Sequence, residues 1–136
     1  MKKRMGLVLL ALCLSMLFLG CNSSIEQEES NMISYEQISQ AEAKTLMESE
    51  SDYVILDVRT EEEFAEGYIA GAMLIPDDEV MEKAESMLPD KNQLILVYCR
   101  SGRRSKLAAE ALATLGYTNV KEFGGIIDWS YGVVKD

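Results

Sequence analysis

The chain has 136 residues, with 13 Lys and Arg against 23 Asp and Glu for a formal charge of −10, no histidine and three cysteines. That length fits one domain with appendages. The missing histidine excludes Ser–His–Asp triads, Cys–His dyads and HExxH zinc sites; three cysteines make neither a disulfide framework nor a four-cysteine metal site; and the acidic balance speaks against nucleic-acid binding. Any nucleophile here has to be activated without imidazole.

In chain order, Lys2, Lys3 and Arg4 precede an uncharged, almost wholly apolar run from Met5 to Gly20. This is a secretory signal pattern, and it is shorter than the roughly 20 residues a membrane-spanning helix needs. Phe18-Leu19-Gly20-Cys21 resembles a bacterial lipobox. Residues 1–20 are therefore expected to be a lipoprotein signal peptide. Cys21 is expected to be lipidated, holding the protein on the bacterial cell membrane on its extracytoplasmic side. Residues 21–33 read as lipidated cysteine plus a flexible, polar tether, and 34–136 as the folded domain. Cys13 leaves with the signal and Cys21 is acylated, so Cys99 remains as a lone thiol. In an oxidising compartment such a thiol is a liability unless it is used.

Ser39-Gln40-Ala41-Glu42 is a capping-box pattern, with Ile38 as hydrophobic staple, and predicts a helix from about 40 to 49 with Ala43, Leu46 and Met47 on one face. Tyr53 to Val58 reads as a buried strand. Thr60 to Glu63 is a second capping box and opens a short helix ended by Gly67. Ala72 to Ile75 is another strand, stopped by Pro76, and a helix runs from Asp77 or Asp78 to about Leu88. Leu94 to Tyr98 is the clearest strand. Ser105 to Leu115 reads as a helix with Ser105 as N-cap, with Leu107, Ala108, Ala111, Leu112 and Leu115 inward and Gly116 as its C′ residue. Val120 to Phe123 is a last strand. Apolar strands alternating with helices point to an α/β domain whose parallel sheet is covered on both faces. In such sheets ligands bind beyond the carboxyl ends of the strands, where Cys99 stands.

Cys99-Arg100-Ser101-Gly102-Arg103-Arg104-Ser105 lies between a strand and a helix start. Unsatisfied N–H groups and the helix dipole favour an anion there. Gly102 permits a tight turn, so the loop can form a cradle of N–H groups. Arg100, Arg103, Arg104 and Lys106 add positive charge. Together these stabilise a thiolate at Cys99, with no need for histidine. Positive charge is concentrated on this half of the chain: residues 91–136 carry net +3, whereas residues 21–90 carry net −16. Acidic runs such as Glu61 to Glu63 and Asp77 to Glu79 read as dipole compensation at helix starts. No metal site is expected.

At these residues the chain resembles the rhodanese (thiosulfate sulfurtransferase) family in its single-domain form. Four ordered segments carry the resemblance: Leu56-Asp57-Val58-Arg59-Thr60 with Glu63-Phe64; Gly67-Tyr68-Ile69-Ala70-Gly71-Ala72 closing on Ile75-Pro76; the Cys99 to Ser105 loop; and Gly124-Gly125-Ile126 with Trp129. The family's pattern often has His where Tyr68 stands and Pro where Ala70 stands. The resemblance implies a three-layer fold with about five mainly parallel strands. It implies Cys99 as a nucleophile that takes a sulfur from a small anionic donor such as thiosulfate, becomes a persulfide, and passes the sulfur to a thiol or to cyanide. No other cofactor is implied. The amides of residues 100–104 would stabilise the anionic sulfur, and Arg100 and Arg103 would meet the donor. Arg104 would share that task or brace the loop, and Asp57 with Arg59 would support the site wall as an ion pair. A monomer is expected.

Two other readings stand beside this one. The related phosphatases and arsenate reductases have five residues between the cysteine and the closing arginine. Cys99 to Arg104 leaves four, and a larger central ion needs the longer cradle. A non-catalytic sulfur carrier or sensor would use the same persulfide and differ only in turnover.

Overall fold

The computed structural model describes residues 34–136. The expected signal segment, Cys21 and the tether fall outside the described residues. Five strands, β1 (Glu36–Gln37), β2 (Tyr53–Asp57), β3 (Met73–Leu74), β4 (Leu94–Cys99) and β5 (Val120–Gly125), form one sheet in the order β1-β5-β4-β2-β3. All four pairings are parallel. Four helices connect them: α1 (Gln40–Ser49), α2 (Glu61–Ala65), α3 (Val80–Met87) and α4 (Arg103–Thr114).

Strand alternation sorts the core into two layers. Leu56, Val58, Ile95, Val97, Cys99 and Val120 pack on one face with residues of α3 and α4. Ile55, Leu94, Leu96, Tyr98 and Phe123 pack on the other with Ala43, Leu46 and Met47 of α1. Every residue of β4 is buried, as a central parallel strand covered on both faces requires. This is the three-layer α/β architecture read from the sequence.

Both capping boxes form. Ser39 Oγ accepts the Glu42 N–H while Glu42 accepts the Ser39 N–H at 2.8 Å, and Thr60 and Glu63 do the same at the start of α2. Three elements differ from expectation. β1 is two exposed residues with no apolar run to announce it, paired along one edge of β5. The helix after Pro76 opens as a 3-10 turn over Asp77–Glu79 before α3 begins.

The third difference concerns α4, which starts two residues earlier than expected. Gly102, at φ 101°, is its N-cap, and Ser105 lies inside the first turn. Its buried face is Ser105, Ala108, Ala109 and Leu112, and Leu107 is 52% exposed. Three of those four, Ser105, Ala108 and Ala109, are small. The C-terminal segment is tied back by antiparallel bonds between Tyr68 and Val134 (2.9 and 2.8 Å) and by Tyr68 Oη donating to Asp136 at 2.6 Å.

Candidate active site

Cys99 is the last residue of β4 and is only 1% exposed. Beside it the β4–β5 register breaks: Val97 faces Glu122, but Cys99 faces Gly125. β5 thus carries one extra residue, a bulge at which Gly124 takes φ 93°. The bulge brings Gly125 directly beneath the loop. A Cβ at Gly125 would lie 2.1 Å from the Arg100 carbonyl oxygen and 2.5 Å from Ser101 Cα. Glycine is needed there for space, since its backbone is ordinary extended chain at φ −122°. The Gly125 carbonyl accepts Gln40 Nε2 at 2.8 Å, and the Arg100 carbonyl accepts the Ile127 N–H at 3.2 Å. The loop is therefore fixed from below by β5 and α1.

The Gly102 N–H donates to Cys99 Sγ at 3.0 Å. The amides of Ser101, Arg103 and Arg104 bond to no other described residue, so the cradle has donors to spare. Arg100 and Arg103 are exposed. Arg104 is held instead: its Nη1 and Nη2 donate to the two carboxylate oxygens of Glu63 at 2.7 and 2.8 Å. Of the two roles open to Arg104 in the sequence, the geometry favours bracing the loop against α2.

The same contact fixes the ionisation of Glu63. Hydrogen bonds from Arg104, opposed by burial and aided by the Thr60 amide, hold its carboxyl well below the ordinary value of 4.5, at about 2. A depressed carboxylate stabilises the fold fully above its ordinary value, and the gain fades as pH falls toward about 2. Glu63→Gln should remove that slope between those limits and lower stability at neutral pH by about 1 kcal/mol. Urea unfolding of both proteins from pH 2.5 to 7 reads this; parallel pH curves would contradict it.

Asp57 and Arg59 meet as a buried pair, 0% and 5% exposed. Arg59 donates through Nε and Nη2 to Asp57 at 3.0 and 2.7 Å, and through Nη2 to the Gly67 carbonyl at 2.7 Å. The guanidinium lies 5.8 Å from the centre of the Tyr98 ring. Tyr98 belongs to the α1-side layer and Cys99 to the α4-side layer. The pair therefore sits across the sheet from the sulfur. It secures the loop after β2, and its geometry gives it no contact with the reacting atom.

Two residues beside the sulfur were not singled out from the sequence as parts of the site. Ser105, read there as the N-cap, has its Oγ 3.3 Å from Cys99 Sγ and 2.6 Å from Glu122 Oε1. Glu122, 3% exposed, also accepts the Gly124 N–H at 2.8 Å. A signal for Glu122 was present: a carboxylate sharing the Val120 face of a buried strand is rare unless it is paired. Among the described residues no cluster of His, Cys, Asp and Glu could hold a metal ion.

Comparison with known proteins agrees with this fold. A model of the rhodanese-like domain matches residues 39–131. The thiosulfate sulfurtransferase PspE of Escherichia coli K12 is 41% identical over 80 residues, 59% of this chain and 77% of that protein. A sulfurtransferase of Allochromatium vinosum is 35% identical over 101 residues, 74% of this chain and 88% of that one. A solved rhodanese with anions from E. coli superposes with a TM-score of 0.58 at 39% identity, covering 62% of this chain and 99% of its own. The family model spans more than half of the chain and the E. coli relatives share about two fifths of the residues compared: the chain belongs to the rhodanese-like domain family.

Proposed function

We propose that the protein is a rhodanese-type sulfurtransferase that moves sulfane sulfur from thiosulfate or a similar small anion to a thiophilic acceptor by way of Cys99. The observation that carries this reading is the placement of Cys99 Sγ. It lies under the Gly102 N–H at 3.0 Å, inside a loop whose other amides are free to bind an anion. The sulfurtransferase names of the relatives support the same reaction class.

The Cys99 thiolate attacks the outer sulfur of thiosulfate. A new S–S bond forms, the S–S bond of the donor breaks, and sulfite leaves with the electron pair. Arg100 and Arg103 are exposed at the loop and match the multi-oxygen end of such a donor. The product, a cysteine persulfide, carries its negative charge on the outer sulfur, where the spare loop amides and the start of α4 stabilise it. Cyanide or a thiolate then attacks that outer sulfur, the S–S bond breaks, and the Cys99 thiolate is restored. The cycle is covalent and ping-pong, and no further cofactor is needed.

Thiosulfate should add one sulfur, about 32 Da, to the Cys99 peptide, and cyanide should remove it with release of thiocyanate. No gain in mass would sink the reading. A gain followed by one slow discharge, without turnover, would favour the carrier reading instead.

A further inference from the structure

The sulfur of Cys99 faces a hydroxyl that has only one proton and several places to put it. Ser105 Oγ lies 2.6 Å from Glu122 Oε1, 3.1 Å from the Gly102 carbonyl, 3.5 Å from the Gly124 carbonyl and 3.3 Å from Cys99 Sγ. The short contact to a carboxylate is the strongest of these acceptors. With Glu122 ionised, the Ser105 proton points at Glu122 and a lone pair is left toward the sulfur, which suits a thiol that donates. With the sulfur anionic, as the thiolate, a second donor beside the Gly102 N–H is the useful partner. Ser105 must then turn its proton to the sulfur. Glu122 loses that bond unless it takes up a proton of its own and donates it to Ser105 Oγ.

We propose that Glu122 is a positioning residue for Cys99: through the single proton of Ser105 it decides whether the Ser105 hydroxyl presents a donor or an acceptor to a sulfur that already receives the Gly102 N–H, so that charge on the carboxylate opposes charge on the sulfur. The inference rests on Cys99 being the reacting sulfur.

The surroundings allow the exchange. Glu122 is almost fully buried, yet it lines a cleft of about 340 Å³ together with Gln40, Ser101, Gly102, Lys106 and Asp128. The cleft gives a proton a route between Glu122 and solvent. The charged groups facing Glu122 are Lys106 of α4 and Asp128 of the turn after β5. On the side of α2, Arg104 lies within electrostatic reach of the sulfur, and Glu63 and Asp77 act on Arg104 in turn. Asp57 and Arg59 on β2 neutralise each other across the sheet. None of these can replace Ser105 as the bridge, because Ser105 is the side chain in hydrogen-bonding distance of both Sγ and Oε1.

The test is the pH dependence of iodoacetamide alkylation, read as the mass of the Cys99 peptide in the purified full-length protein. Glu122→Gln keeps an oxygen for Gly124 and Ser105 but removes the charge. It should move the alkylation midpoint to lower pH and speed the reaction below that midpoint by at least about threefold. In a Ser105→Ala background the same substitution should lose most of its effect, because the bridge is gone. A merely structural Glu122 leaves the midpoint where it is, and that outcome overturns the proposal. So does an upward shift, or a full shift that persists without Ser105. If Glu122→Gln does not fold, the ¹³C carboxyl resonance of Glu122 in the unsubstituted protein decides. It should respond to ionisation of Cys99 and stop responding once Cys99 is alkylated; a resonance indifferent to Cys99 overturns the proposal. Alkylation reports the sulfur whether or not thiosulfate is a donor, so this proposal and the sulfurtransferase reading fail separately.

Discussion

Cys99→Ser should leave a folded protein with no measurable sulfur transfer, a fall of at least about 10⁴-fold in turnover with thiosulfate and cyanide. The chemistry needs a nucleophile whose product, a persulfide, can itself be attacked and discharged. A serine hydroxyl is far weaker as a nucleophile at neutral pH, and an O–S adduct could not return to the starting state by the same route. The fold should tolerate the change. Serine is slightly smaller than cysteine, its oxygen can accept the Gly102 N–H that Sγ accepts at 3.0 Å, and Ser105 stands 3.3 Å away as a second partner. Stability should shift by no more than about 1–2 kcal/mol. The sulfur-loaded mass and the unfolding midpoint, measured on the same preparation, separate loss of chemistry from loss of fold. Retained transfer in Cys99→Ser would rule out the covalent route.

The largest effect on stability should come from the other side of the sheet. Arg59→Met leaves the Asp57 carboxylate buried at 0% exposure without its partner, and strips the Gly67 carbonyl of its donor. Losing one member of a buried pair costs about 3–5 kcal/mol, because the remaining charge is neither solvated nor compensated. A domain of this size has about 5–15 kcal/mol in all. A urea midpoint that falls by roughly a fifth or more is therefore expected. Asp57→Leu combined with Arg59→Met should recover most of the loss, since an apolar pair of similar volume has no charge to strand. A single variant no less stable than the parent, or a double variant worse than the single, would show that the pair is not the anchor its geometry describes.

How far the sequence could be read follows from where the information sits. Local signals were fully legible: the capping boxes at Ser39 and Thr60, the apolar run of β4, and the strand–loop–helix setting of Cys99 are each written within a few neighbouring residues. β1 was not, because two exposed residues become a strand only by pairing with β5. The start of α4 was misplaced for a similar reason. Ser105 is a good N-cap by type, yet Gly102 caps the helix because the loop is pressed against Gly125 and turns early. Inside the first turn, Ser105 is a neighbour of the sulfur rather than a cap, and packing against the sheet leaves Leu107 on the outer face.

The site divides along the same line. The Cys99 loop is contiguous, so its composition announces it. Glu63 and Glu122 reach it from 36 residues before and 23 after in sequence, and only the fold brings them there. Arg104 looks like Arg100 and Arg103 in the sequence, but a carboxylate on α2 occupies it. The loop's formal charge therefore overstates the number of free guanidinium groups available to a donor.

The burial of Cys99 at 1% exposure has a consequence for discrimination. A sulfur set this deep is met most easily by a slender reacting end. On the sulfurtransferase reading proposed above, the outer sulfur of thiosulfate or of another persulfide has that shape, whereas each sulfur of an ordinary disulfide carries a carbon chain on its far side. Depth would then rank the partners of the sulfur by width, with terminal sulfur and small reagents ahead of the disulfides that would lock the cysteine into a mixed disulfide.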